Sequence, residues 1–347
     1  MLFRKKLKKI IIAMIAVITV VGLTACGKKD TTDTATDGGN DEIYELKLAH
    51  VVRPTHPKGM AVEEFKKEVE EKSNGRIQIT VYPDSQMGND QEINEQILNG
   101  TLDMNAPFLA TLTSFVPQYE VFDLPYLFKD SDRAFEALQG KLGEKLDEYI
   151  AQKGFESLGY WTGGFKQLTN SKKPVKTVED LDGLKIRASQ SPALVAQFRA
   201  LNAGGISVPF NELYTALQNK TVDGQENPLS NIATKKFYEV QDYLTMSDHG
   251  FMGYNLIINK QKFDGMPEDL QEIIREAAKN ASKWEWEKAK ELDDEYLQEI
   301  KDGGMEIDSF DENEKAKFLE KTQAAYDEFM KIDGAQELLD IAEEYKQ

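Results

Sequence analysis

From Glu45 onward, short apolar segments alternate with amphipathic stretches of helical spacing, and that alternation restricts the chain to an α/β fold. Leu46-Lys47-Leu48-Ala49-His50-Val51 predicts a first strand. A helix over 59–73 comes next, with Ala61, Phe65 and Val69 on one stripe and Lys66, Lys67, Glu70 and Glu71 facing water. Ile77, Ile79 and Val81 alternate through a second strand at 76–82, and a helix at 90–98 and a strand at 102–106 complete a β-α-β-α-β start. Residues 120–128 are apolar but broken by Pro125, which predicts a buried loop or turn. Helices at 131–139 and 141–152 and a strand at 155–162 lead to Gly163-Gly164-Phe165-Lys166, read as a glycine-loosened crossing into a second unit. There strands at 184–187, 206–209 and 222–225 alternate with helices at 192–201 and 211–219.

Two α/β halves joined by crossing segments make a clamshell of two lobes around a ligand cleft. Residues 44–164 and 252–290 are assigned to lobe I, and 165–251 and 291–347 to lobe II. Leu270, Ile274, Ala277, Ala281, Trp284, Leu292, Tyr296 and Ile300 recur near helical spacing between Pro267 and Gly303-Gly304. A helix over 267–302 would be ~54 Å long, enough to bridge both lobes. Helices at 314–330 and 335–345 close the chain.

The first residues belong to targeting rather than to the fold. Arg4, Lys5, Lys6, Lys8 and Lys9 precede an apolar run at 10–23, which is shorter than the ~20 residues of a membrane span and fits a signal peptide over 1–25. It ends in Leu23-Thr24-Ala25-Cys26-Gly27, which resembles the lipobox of bacterial lipoproteins. Cys26 is the only cysteine, so it has no disulfide partner within the chain and is expected to carry lipid. Residues 26–43 are Thr-, Asp- and Gly-rich and read as a flexible tether. The expected location is extracytoplasmic, at a membrane surface.

Charge and motifs narrow the function. Lys and Arg total 42 against 60 Asp and Glu, a formal charge of −18 that disfavours nucleic acid and anionic lipid as partners. There is no G-x-S-x-G, P-loop, G-x-G-x-x-G or H-E-x-x-H, so neither an enzyme nor a cofactor is expected. His50, His56 and His249 are too scattered to suggest a metal site.

Polar residues instead gather at predicted strand ends, where open α/β sheets bind ligands. Arg187 closes the strand at 184–187, Lys166 follows the glycine pair, Asn227 follows the strand at 222–225, and His50 ends the first strand. A guanidinium in an apolar setting is costly unless a carboxylate or phosphate meets it, which makes a small anion the expected ligand. A structural salt bridge for Arg187 and a solvated Lys166 are the competing readings.

Several ordered motifs carry a family resemblance: Tyr82-Pro83-Asp84-Ser85-Gln86-Met87-Gly88, Phe122-Asp123-Leu124-Pro125-Tyr126, Gly183-Leu184-Lys185-Ile186-Arg187, Glu212-Leu213-Tyr214-Thr215-Ala216-Leu217-Gln218 and Val222-Asp223-Gly224-Gln225-Glu226-Asn227-Pro228. The chain resembles the DctP-like solute-binding proteins of tripartite ATP-independent periplasmic (TRAP) transporters from about Leu46 to Met330. The resemblance implies a periplasmic-binding-protein-like fold with a long helix spanning both lobes, and places the family's carboxylate-binding arginine on Arg187 and its asparagine on Asn227. Gly164-Phe165-Lys166-Gln167, Ser189-Gln190-Ser191 and His249-Gly250 are similar to the C4-dicarboxylate-binding subgroup, whereas Asn202-Ala203-Gly204-Gly205 departs from the usual turn. On this basis Lys166 and His50 would meet a second carboxylate or hydroxyl, and Phe210 and Tyr254 would wall the pocket with Ser189 beside them. The implied partners are an organic acid such as succinate, fumarate or malate and the TRAP permease subunits, with the binding protein a monomer. A uronate ligand, a receptor feeding an ABC transporter or sensor kinase, and an exported hydrolase remain as alternatives.

Overall fold

The computed structural model describes residues 42–346. The expected signal peptide, Cys26 and nearly all of the expected tether lie outside the described residues. Two sheets organise the fold. The first contains β1 (Tyr44–Ala49), β2 (Ile77–Tyr82), β3 (Met104–Asn105), β4 (Phe155–Phe165) and β10 (Phe251–Asn259), in spatial order β2-β1-β3-β10-β4. The second contains β5 (Gln167–Asn170), β6 (Ile186–Ala188), β7 (Gly204–Ser207), β8 (Gly224–Asn227), β9 (Tyr243–Met246) and β11 (Glu306–Ser309), in order β11-β9-β5-β8-β6-β7.

The first sheet forms because β1 and β2 present Leu46, Leu48, Ile77 and Ile79 to the Ala61, Phe65 and Val69 stripe of the helix Pro57–Lys72. Burying each such side chain contributes ~1.5–3 kcal/mol. In the second sheet, β6 runs parallel to both β7 and β8, with Arg187 opposite Gln225.

Two of the chain's crossings between the sheets run side by side. The first falls within the expected crossing, with β4 running past its expected end at 162 through Gly163-Gly164 to Phe165 and Lys166 alone separating it from β5. The return crossing lies beside it: β9 pairs antiparallel with β5, β10 pairs antiparallel with β4, and the Lys166 amide donates to the Gly250 carbonyl at 2.8 Å.

A single helix, Glu268–Asp302, spans the two lobes; its 35 residues correspond to ~52 Å. Leu270, Ile274 and Ala277 pack in the first-lobe core, while Tyr296 and Ile300 join Leu213, Leu217 and Ile232 in the second. It is fastened to successive residues of β4. Trp286 Nε1 donates to the Tyr160 carbonyl (3.1 Å), Trp161 Nε1 donates to Ser282 Oγ (3.0 Å), and the Thr162 amide donates to Glu285 Oε2 (2.8 Å).

The C-terminal region departs from its expected assignment. The helix predicted over 314–330 is divided at Thr322 into Glu312–Lys321 and Gln323–Phe329. Thr322 Oγ1 donates to the Phe318 carbonyl at 2.6 Å, the local side-chain bond by which threonine competes with the helical ladder. The last helix, Ala335–Glu343, lies on lobe I: Leu338 and Ala342 share a core with Leu142, Leu146 and Ile150, and Lys141 pairs with Glu344 at 2.7 Å. Among the described residues no helix is long and apolar enough to cross a membrane.

Candidate functional site

A cavity with ≈ 480 Å³ of atom-free space, part of it open to solvent, lies between the lobes at the carboxyl ends of β6 and β8. Helices Pro57–Lys72, Asp90–Leu98 and Phe210–Gln218 all begin at its wall, so three positive helix ends face the space.

Arg187, Ser189, Phe210, Asn227 and Tyr254 line this cavity. Arg187 is buried at 3% exposure, and its Nε donates to the Val208 carbonyl at 2.7 Å. Among the described residues its two Nη atoms have no hydrogen-bond partner and no carboxylate lies within ion-pair distance. Burial presses the guanidinium down to about 10, with Glu226 opposing, so it stays charged at neutral pH. A buried, incompletely bonded cation on a cavity wall can receive a carboxylate through two parallel hydrogen bonds. Asn227 ends β8 rather than following it; its Nδ2 donates to Gln225, and its Oδ1 accepts from Asn231 Nδ2 at 2.8 Å. Phe210 carries the Lys235 ammonium 5.3 Å from its ring centroid. Lys235 in turn pairs with Asp84, linking the lobes at the rim.

Lys166 and His50 do not come together with the other five. The Lys166 ammonium is 1% exposed and lies 3.1 Å from the Glu226 carboxylate, which His249 also reaches, from the other crossing, at 2.8 Å. Burial alone would raise the Glu226 carboxyl, but Lys166 and His249 outweigh it and hold it near 2. Ser247 Oγ lies 2.8 Å from His249 Nδ1, completing a polar cluster at the crossing. Gly250 leaves the room for it, since a Cβ there would stand 2.7 Å from Lys166 Cε. Lys166 is thus paired with Glu226 and, contrary to its expected place, does not line this cavity. His50 is 1% exposed behind the cavity, and burial, reinforced by Lys58, pushes it down to about 3, so it is neutral. Its neighbours Val51 and Val52 reach the cavity wall instead.

Sequence reasoning missed Lys58 and Asp90, which also line the cavity, and noted Asn231 only within a subgroup-like motif without assigning it to the site. A signal existed for Lys58: it extends the buried stripe Ala61, Phe65 and Val69 back by one turn, and a cation on an apolar stripe is out of place there. Asp90 Oδ1 and Oδ2 accept only at 3.5 Å, from Asn105 Nδ2 and the Phe108 amide, and burial raises its carboxyl.

The family model for bacterial extracellular solute-binding protein, family 7 (DctP), matches residues 48–333. The chain belongs to this family. It is 35% identical over 317 residues to the C4-dicarboxylate-binding protein DctB of Bacillus subtilis, covering 91% of this chain and 90% of that one. A succinate-bound TRAP periplasmic solute-binding protein of Sulfurospirillum deleyianum superposes with TM-score 0.83 at 37% identity, covering 88% of this chain and 100% of that one. The galactonate-bound sugar acid binding protein DctPAm of Advenella mimigardefordensis gives TM-score 0.85 at 31% identity, covering 88% and 99%. This family-7 member is therefore a TRAP solute-binding protein with the two-lobed periplasmic fold.

Proposed function

We propose that this protein captures a small carboxylate outside the cytoplasm, with C4-dicarboxylates such as succinate, fumarate or malate as the leading class, and delivers it to TRAP permease subunits. The observation that carries the reading is Arg187: a buried guanidinium with unbonded Nη atoms, on a cavity walled by both lobes. A ligand held there touches both lobes and favours closure by its greater affinity for the closed state. The succinate-bound relative supports the C4 class, and the galactonate-bound one keeps sugar acids as the second reading. A thermal-shift screen of a carboxylate panel, on protein lacking residues 1–26, tests both. A ligand at 100 times its dissociation constant adds ~2.7 kcal/mol, so the C4 acids should raise the melting temperature most. A larger shift with uronates or aldonates than with every C4 acid would move the assignment to sugar acids.

Lipidation of Cys26 would hold the domain at the membrane, with residues 26–43 as the tether and the protein working as a monomer. The lipobox-like Leu23-Thr24-Ala25-Cys26 supports this. Intact-mass analysis of protein from the native host should show a chain beginning at a diacylated or triacylated Cys26, and Cys26→Ser should release the protein or leave it uncleaved. An unmodified Cys26 would refute the anchor.

A further inference from the structure

The cavity contains a second cation, on the lobe opposite Arg187. Lys58 stands in the first turn of the helix Pro57–Lys72 and is fully buried. Its Nζ donates to the Ala106 carbonyl at 2.8 Å and rests 4.1 Å from the centroid of the Tyr254 ring. An ammonium has three donors, and the backbone carbonyl takes one. Among the described residues no carboxylate lies within ion-pair distance of Lys58. Asp90, an acid on the same cavity wall, contributes only a longer-range attraction.

We propose that Lys58 reads the second carboxylate of the ligand and makes the site selective for dianions. The inference rests on the dicarboxylate reading and assigns to Lys58 the part that sequence reasoning gave to Lys166. The contrast between the two lysines is decisive. Both are almost wholly buried, but Lys166 has Glu226 as its counter-charge, whereas Lys58 has a carbonyl and an aromatic face. An ammonium kept out of water without an adjacent anion is unfavourable. Burial accordingly lowers Lys58 to about 8, which a bound carboxylate would reverse.

The two cations are joined by the cavity wall. Tyr254, under the Lys58 ammonium, donates to Met252 Sδ at 3.5 Å, and Asn231 Nδ2 reaches that sulfur at 3.4 Å and Asn227 Oδ1 at 2.8 Å. Asn227 stands on β8, the strand paired with that of Arg187. A dianion between Arg187 and Lys58 neutralises both, while a monoanion leaves one cation unmatched.

Titration calorimetry of Lys58→Met with succinate and with butanoate, which has the same chain length and one charge, tests this. Methionine keeps most of the stem volume and removes the charge. Succinate should bind at least about 30-fold more weakly than to the unmutated protein, with butanoate affected less than about threefold. Lys58→Gln, which retains a donor for the Ala106 carbonyl, gives the same comparison if the methionine variant fails to fold. If the unmutated protein binds succinate and both ligands lose equally, or neither loses, Lys58 does not read the second charge while the dicarboxylate reading stands. If the unmutated protein binds sugar acids and no dicarboxylate, both are overturned.

Discussion

Replacing Arg187 by alanine should weaken carboxylate binding by roughly 30-fold to several thousand-fold, the equivalent of the ~2–5 kcal/mol that follows loss of one partner from a buried charge pair. The guanidinium is anchored by one bond, Nε to the Val208 carbonyl, which holds the fork on the cavity wall without using its outer nitrogens. Arg187→Lys should also bind poorly, because an ammonium cannot reproduce two parallel bonds. Stability of the ligand-free protein should change little or rise, since the substitution to alanine removes an incompletely bonded buried charge. Calorimetry showing less than about a threefold loss of affinity for Arg187→Ala would reduce this residue to a structural role.

Lys166→Met should have its large effect on stability instead. Breaking one side of a buried ion pair typically costs ~3–5 kcal/mol, because the surviving charge remains out of water. Glu226 would keep His249 as its one close partner, and that imidazole is itself pushed toward the neutral form by burial. Urea denaturation should show the loss, with succinate and butanoate affinities changing in parallel. The acid limb offers a second measurement. Glu226 is held near 2 in the fold, below its ordinary 4.5, so its contribution is fully present above about 4.5 and disappears as pH falls toward 2. Lys166→Met should flatten that limb. A variant as stable as the parent, with a selective loss of dicarboxylate binding, would restore Lys166 to the ligand site.

Local patterns were legible wherever one face of an element is buried and the other is wet. Phe65 and Val69 disclosed the first helix, Ile77 and Ile79 the second strand, and the 267–302 periodicity the helix observed as Glu268–Asp302. β10 was not legible: eight of the nine residues of Phe251–Asn259 are buried, so the period-two contrast that marks a strand is absent. Arg187 was legible because a guanidinium in an apolar segment demands an explanation. Glu226 was written in the sequence beside Asn227, but alternate residues of a strand face opposite ways, and only one of those faces meets the cavity.

By itself, the sequence determined the α/β class, the bridging helix and the family, and singled out Arg187 as a candidate, because periodicity, motif order and the cost of a buried charge are properties of short segments. Which lysine has a carboxylate partner was decided by the tertiary structure. Glu226 and His249 lie far from Lys166 along the chain, and only the paired crossings bring them within bonding distance of it. Among the described residues Lys58 has no such partner, because its helix begins at the cavity, against Ala106 and Tyr254. Charge pairing acts over a few ångströms of space, and chain order does not specify it.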